Sequence, residues 1–200
     1  MRIFIVSGSQ RRDSQSSKVA HFVASLLSSR HGAEHFIFEL AGAPLPFWTD
    51  EDVSASIQDL AWQPIKAELD AADGIVIITP EWNGMSTPAL KNFFLYCNKN
   101  ELTDKPAYLV AVSSGQGGCY SASELRVSSG KDTQLCYIPE QVIIRNINEV
   151  LNESTPQSEH DAYDRARLDH GLGLLVQYSL ALAQVRASGA RNLEYFPYGM

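Results

Sequence analysis

Short apolar runs alternate along the chain with stretches whose apolar positions recur every three or four residues. Ile3–Val6 reads as a first strand. Val19, Phe22, Val23, Leu26 and Leu27 then fall at i, i+3, i+4, i+7 and i+8, one face of a helix, and Gly32 is placed to stop it. Phe36, Ile37 and Phe38 form a second strand. The segment from Ala41 to Glu51, with Pro44 and Pro46, reads as a loop. A second helix spans roughly Ser54 to Ala72, with Pro64 as a point that would break or divide it. Gly74–Ile78 is a third strand whose unbroken β-branched run predicts burial on both faces. A third helix starts near Thr87-Pro88, Thr87 serving as cap and Pro88 as first helical residue. Ala107–Val112 gives a fourth strand, Ser121–Val127 a short fourth helix and Gln141–Ile147 a fifth strand. After a polar loop near Asn152–Pro156, a long helix covers about Glu159 to Arg186. The tail 188–200 is polar and aromatic and is assigned no regular structure.

Five strands, each followed by a helix, predict a single α/β domain over 1–200 with a doubly wound parallel sheet covered on both faces. In such sheets ligands sit beyond the carboxyl ends of the strands. Three unusual loops fall at those ends. Ser7 to Ser17, after the first strand, carries five hydroxyls, the Arg11–Arg12 pair and the free N–H groups of a helix N-terminus, a combination suited to a phosphate. It lacks both the G-x-G-x-x-G and the G-x-x-x-x-G-K-[ST] patterns, which favours a mononucleotide over a dinucleotide or a nucleoside triphosphate. The same residues also suit a Ser-rich turn with an ordinary cap. Thr79 to Pro88, after the third strand, is stiffened by two prolines. Its Gly84 permits close backbone approach, and Trp82 with Asn83 would suit a flat heterocycle; a structural loop with a surface Trp is the plainer reading. Ser113 to Tyr120, after the fourth strand, has three glycines that leave backbone bare for a planar ring, or make a flexible linker.

These segments resemble those of the NADPH-dependent FMN reductases, flavodoxin-like proteins. The family's G-S-x-R-x-x-S-x-N is matched by Gly8-Ser9-Gln10-Arg11-Arg12-Asp13-Ser14-Gln15-Ser16, and its P-E-Y-N-G…P…L-K-N by Pro80-Glu81-Trp82-Asn83-Gly84, Pro88, Leu90, Lys91 and Asn92. Gly117-Gly118 stands for its Gly-Gly loop, and Leu45-Pro46-Phe47 for its loop before the second helix. The similarity extends to about Ile147. It implies strand order 2-1-3-4-5 and bound FMN. Ser9, Arg11, Ser14 and Ser16, with Ser17 beside them, would hold the phosphate. Pro80, Glu81, Trp82, Asn83 and Gly84 would meet ribityl and isoalloxazine, and Ser114, Gly115, Gln116, Gly117 and Gly118 the far ring edge. The chain departs from the family at Ser16, where Asn is usual, and at Trp82, where Tyr is usual. The larger indole is expected either to restrict nicotinamide access or to pack a subunit contact.

Composition narrows the partners. Sixteen basic against 23 acidic residues give a net charge of −7, which argues against nucleic acid or an anionic membrane. Any anionic ligand must therefore be held by local groups. The three cysteines contain no C-x-x-C pair, so thiolate zinc and thioredoxin-type chemistry are not expected. No apolar stretch is long enough to span a membrane, and a cytoplasmic protein is expected. The histidines fit surface or capping positions, and no Ser-His-Asp arrangement is credible. Phe93, Phe94 and Tyr96 suit core or an oligomer contact. Glu81 would serve as nucleophile or base, or, more in keeping with its type, as a helix-start cap or subunit ion pair.

The expected activity is FMN-dependent: hydride from NADPH or NADH is passed to a flavin, quinone or similar small acceptor, in a homodimer or homotetramer. Such chemistry needs no protein acid or base. A flavin-binding electron carrier or redox sensor without nicotinamide turnover is the alternative. A transferase or hydrolase acting through Glu81 on a nucleotide-like substrate is a third reading, which fold alone does not separate from the others.

Overall fold

The computed structural model describes residues 1–49, 52–98 and 100–199. The end of the predicted Ala41–Glu51 loop and the last tail residue, Met200, lie outside them. The elements run β1 (Arg2–Ser7), α1 (Gln15–Arg30), β2 (Glu34–Glu39), α2 (Asp52–Asp70), β3 (Gly74–Pro80), α3 (Pro88–Tyr96), β4 (Pro106–Val112), α4 (Cys119–Ser128), β5 (Cys136–Ile144) and α5 (Glu159–Ala187). The strands form one parallel sheet in the order β2-β1-β3-β4-β5. That is the flavodoxin-like arrangement expected from the sequence.

Strand alternation sorts the interior into two layers. Ile3, Ile5, Val76, Ile78, Tyr108 and Val110 face one side, where α1 and α5 cover them with Val19, Val23, Leu27, Leu168, Leu172 and Leu175. Phe4, Val6, Ile75, Ile77 and Leu109 face the other, under Trp62, Ile65 and Leu69 of α2, Leu90 and Phe93 of α3, and Leu125 of α4. Phe94 and Tyr96 are also buried in this second layer. The α3 aromatics are therefore core of this chain, and the apolar residue that α3 exposes is Leu95.

Local signals explain most boundaries. Gly32 takes φ +58°, and the Ala33 amide reaches back to the Leu27 carbonyl at 3.1 Å, closing α1 on a left-handed glycine. Thr87 caps α3, its hydroxyl accepting the Leu90 amide at 3.3 Å. α2 covers the stretch expected, whereas the start of β5 departs from expectation. α2 runs unbroken through Pro64, because Trp62, Ile65 and Leu69 on either side are anchored in the core. β5 begins at Cys136, five residues before the predicted start. Ala107 pairs with Tyr137 but Leu109 with Gln141, so β5 carries an irregularity around Pro139. Proline gives the ladder no amide and belongs on an edge strand such as this one.

Tyr108 and α5 fit each other closely. The phenol is fully buried, burial pushes its pKa well above the ordinary value, and its hydroxyl donates to the Arg167 carbonyl at 3.2 Å. Gly171 lies over the ring: a Cβ there would stand 2.1 Å from Tyr108 Cζ.

Candidate active site

The cleft at the carboxyl ends of β1, β3 and β4 lies where the order reverses between β1 and β3, the ligand position of doubly wound sheets. It is lined by Ser9, Arg11, Arg12, Asp13, Ser14, Gln15 and Ser16 from the first loop, Pro80, Glu81 and Trp82 from the second, and Ser114 from the third; Val112 and Ile147 complete it. Its volume is about 200 Å³, below the ~300–1,000 Å³ of sites that enclose a drug-sized ligand. A cleft of that size takes one end of such a ligand.

The first loop gathers hydrogen-bond donors at the start of α1. Ser14 caps α1, its hydroxyl oxygen accepting the Ser17 amide at 3.1 Å, and no acidic residue occupies the first helical turn. The amides of Gln15 and Ser16 then lie outside the helical ladder at the positive end of the helix dipole. Ser9 Oγ accepts the Arg11 amide at 3.2 Å, so both hydroxyls keep a proton to donate. Ser16 Oγ is buried and has no hydrogen-bond partner among the described residues, which is costly for a hydroxyl left that way. The Arg11 guanidinium lies over the Trp82 ring, its Cζ 4.5 Å from the ring centroid. Gly8 is fixed by packing: a Cβ would stand 2.6 Å from the Ile78 carbonyl oxygen. Ser17 is not part of the cleft lining. Its hydroxyl donates instead to Glu39 Oε1 at 2.8 Å.

The second loop is a tight hairpin. Trp82 and Met85 exchange both backbone hydrogen bonds at 2.9 Å, while Asn83 and Gly84 take φ +50° and +73°. Positive φ at both central residues defines a type I′ turn, for which Asn-Gly is the preferred pair. Asn83 and Gly84 are exposed at its tip, away from the cleft lining. The glycine thus serves the turn. Asn92, from the same motif, holds the loop before α2: its amide donates to the Pro46 carbonyl at 2.8 Å and accepts the Trp48 amide at 2.8 Å.

Glu81 is a helix cap. Its Oε2 accepts the amides of Tyr120 and Ser121 at 2.9 and 3.1 Å, at the start of α4, whose own cap residue Gly118 offers no side chain. Of the alternatives left by the sequence, capping is the one found. A carboxylate committed to two amides is poorly placed for the transferase or hydrolase chemistry considered for it. Glu124 of α4 answers from the other side, accepting the Ser86 amide at 2.7 Å and pairing with Lys91. Burial works to raise the Glu124 pKa, but the Lys91 hydrogen bond, the Ser86 amide and the Lys91 charge outweigh it and hold it below the ordinary value. The second loop and α4 therefore clasp each other. Glu81→Ala should cost about 1 kcal/mol of stability, the usual loss for a missing N-cap acceptor, whereas Glu81→Gln, which keeps an acceptor oxygen, should cost less. Urea unfolding of the two variants measures the difference, and equal losses would contradict the capping role.

The third loop is pinned. The Gly115 carbonyl accepts the Asn146 amide at 3.0 Å, and the Gln116 carbonyl accepts Arg145 Nε at 2.8 Å. Gly117 lies behind Glu81, where a Cβ would stand 2.4 Å from Oε1; Gly118 takes φ +105° against Ile143. These glycines serve the clasp and the start of α4, and Gly115 and Gln116, like Gly117 and Gly118, are not among the cleft-lining residues. Ile147, whose place in the cleft the sequence did not reveal, is carried there by a loop that α1 holds: Lys18 Nζ donates to the carbonyls of Ile147 and Val150 at 2.7 and 2.9 Å.

A larger cavity, about 410 Å³, opens at the opposite, amino ends of β3 and β4. Its charges already serve one another: Lys105 donates to the Leu69 and Asp70 carbonyls at the end of α2, Arg186 faces Asp73, and Arg191 pairs with Asp104. That last pair ties down the tail, whose described residues 188–199 form no helix or strand. Among the described residues no group of His, Cys, Asp and Glu side chains could hold a metal, and no helix is long and apolar enough to cross a membrane.

Sheet order and cleft position together define a flavodoxin-like α/β protein with a donor-lined cleft at the β1–β3 switch point. The chain matches the NADPH-dependent FMN reductase model over residues 1–149 and belongs to that family. It is thus an FMN-dependent NAD(P)H oxidoreductase. It is 27% identical over 148 residues to an NADPH azoreductase of Bacillus sp. (strain OY1-2), covering 74% of this chain and 79% of that one. It is 30% identical over 149 residues to a 2-hydroxy-1,4-benzoquinone reductase of Burkholderia sp, covering 72% and 78%. In fold it resembles the flavoenzyme NAD(P)H:(acceptor) oxidoreductase of Paracoccus denitrificans, with a TM-score of 0.69 at 19% identity over 88% of this chain and 98% of that one.

Proposed function

We propose that the cleft seats the FMN phosphate and that the enzyme passes electrons from NADPH to a quinone or azo compound. The observation that carries the phosphate assignment is the buried Ser16 hydroxyl at the start of α1, which has no partner among the described residues, in the same cleft as the Arg11 guanidinium. Ser9, Ser14 and Ser16 supply hydroxyl protons, Arg11 supplies charge, and the first amides of α1 supply dipole, which together offset the negative field of the chain. These donors suit the phosphate. The ribityl and ring would then leave the cleft along Pro80 and Ser114. The flavin supplies hydride acceptance and electron delivery. The protein's part is to hold and orient it, and the Glu81–Glu124 clasp keeps the second loop and the start of α4 in register for that purpose.

The acceptor class rests on the azoreductase and quinone reductase relatives. The reading takes the chain as one flavin-binding domain, supported by α5 packing into the same core layer as α1, with 188–199 as an appended tail. A homodimer or homotetramer fits the exposed Met85, Leu95 and Tyr120 beside the α3–α4 groove. Three free thiols fit a reducing cytoplasm.

The test is the visible spectrum of the purified protein, followed by anaerobic NADPH and then a benzoquinone or an azo dye. Flavin absorption bleached by NADPH and restored by an acceptor is expected. A flavin that NADPH leaves oxidised would overturn the enzyme reading, and apoprotein that takes up no FMN would overturn the site.

A further inference from the structure

Trp82 and Arg11 come from different loops and meet at the cleft, the guanidinium 4.5 Å above the indole centroid. Arg11 is exposed, and no other side chain among the described residues pairs with its guanidinium. Left alone, such a side chain would sample many rotamers, and ordering it on a ligand would cost entropy. Trp82 is a firm support, since its backbone is fixed on both sides of the Asn83-Gly84 turn by the paired bonds to Met85. Stacking uses the flat face of the guanidinium and leaves its in-plane N–H groups free for an anion. Indole is the strongest aromatic platform for a cation, and this chain carries it where the family pattern has Tyr.

We propose that Trp82 is a positioning and specificity-determining residue. It holds Arg11 pre-oriented for a phosphate monoester, and so raises selectivity for phosphorylated flavin over the same flavin without its phosphate. The inference rests on the phosphate reading above. It also gives the indole a task within the chain, distinct from the blocked nicotinamide route and the subunit contact considered from sequence.

A double-mutant cycle tests it. Apoprotein of the wild type, Trp82→Leu, Arg11→Ala and the double variant is titrated with FMN and with riboflavin, following flavin fluorescence. Trp82→Leu should weaken FMN about two- to fivefold, the range of an exposed cation–π contact, and leave riboflavin unchanged. In the Arg11→Ala background the same substitution should have no further effect on FMN. Trp82→Tyr should retain most of the wild-type affinity, and serves as the second variant if Trp82→Leu does not fold in a thermal melt; a Tyr variant that loses as much as Leu would overturn the proposal. Equal weakening of FMN and riboflavin, or a loss that persists without Arg11, would show that the indole touches the ring, and overturns it too. A changed particle mass in light scattering would assign the indole to a subunit contact with the same result. Wild-type apoprotein that binds FMN no better than riboflavin would remove the phosphate reading itself, a failure distinct from zero coupling in a protein that prefers FMN.

Discussion

Arg11→Ala is expected to weaken FMN binding by about 1.5–3 kcal/mol, the range for a hydrogen bond to a charged group, or roughly ten- to a hundredfold in Kd. The guanidinium is one of two, with that of Arg12, that the first loop places at the cleft, and it makes no ion pair among the described residues. The serine hydroxyls and the α1 amides remain in the variant, so binding should be reduced and not abolished. The effect should depend on the phosphate. Riboflavin, which lacks it, should bind the variant and the wild type alike, and the preference for FMN should fall further as salt is added. Equal weakening of both ligands would mean that Arg11 meets some other part of the flavin.

The second large effect is expected far from the cleft. Gly171→Val should destabilise the protein by about 3 kcal/mol, the upper part of the range for overpacking a core. Glycine is a poor helix former, so Ala at an exposed helix position would gain ~1 kcal/mol. Here the added Cβ would stand 2.1 Å from a carbon of the Tyr108 ring, which is fully buried and cannot step aside. Even Gly171→Ala should therefore lose stability, and Tyr108→Leu should recover part of the loss by removing the ring. Urea midpoints of the variants measure this. A Gly171→Ala protein more stable than the wild type would mean that α5 shifts freely and that helix propensity wins.

The sheet order was legible because the strands are apolar runs bounded by caps and glycines, as at Thr87-Pro88 and Gly32. The start of β5 was not. Pro139 and Glu140 interrupt the apolar alternation there, and the irregular pairing that accommodates them is a tertiary matter. The persistence of α2 through Pro64 was hidden for the same reason, since packing outweighed a local cost. In the site, the first loop could be read because its chemistry is local: hydroxyls, arginines and a helix start within a few residues. Asn83, Gly84, Gly117 and Gly118 also hold structural places that the sequence did not show. A glycine needed for a turn and a glycine bared for a ligand look alike in sequence, and the turn at Trp82–Met85 and the place of Gly117 behind Glu81 show only in the fold. The Glu81–α4 cap and the Lys18 hold on the Ile147 loop join residues 39 or more apart in the chain, so no spacing rule would have found them.

The clasp has a consequence for anyone recombining this protein with its relatives. Each of its halves is stored in the other's stretch of chain: the cap of α4 is written at position 81, and the acceptor that steadies the second loop at position 124. A graft that moved 79–91 alone into a foreign scaffold would arrive without Glu124 and strip the host helix of whatever capped it, unless the donor's own acid fitted by chance. The natural unit of exchange is therefore 79–124 taken whole, with β4 running through its middle as the spacer that keeps the two acids within reach of their amides.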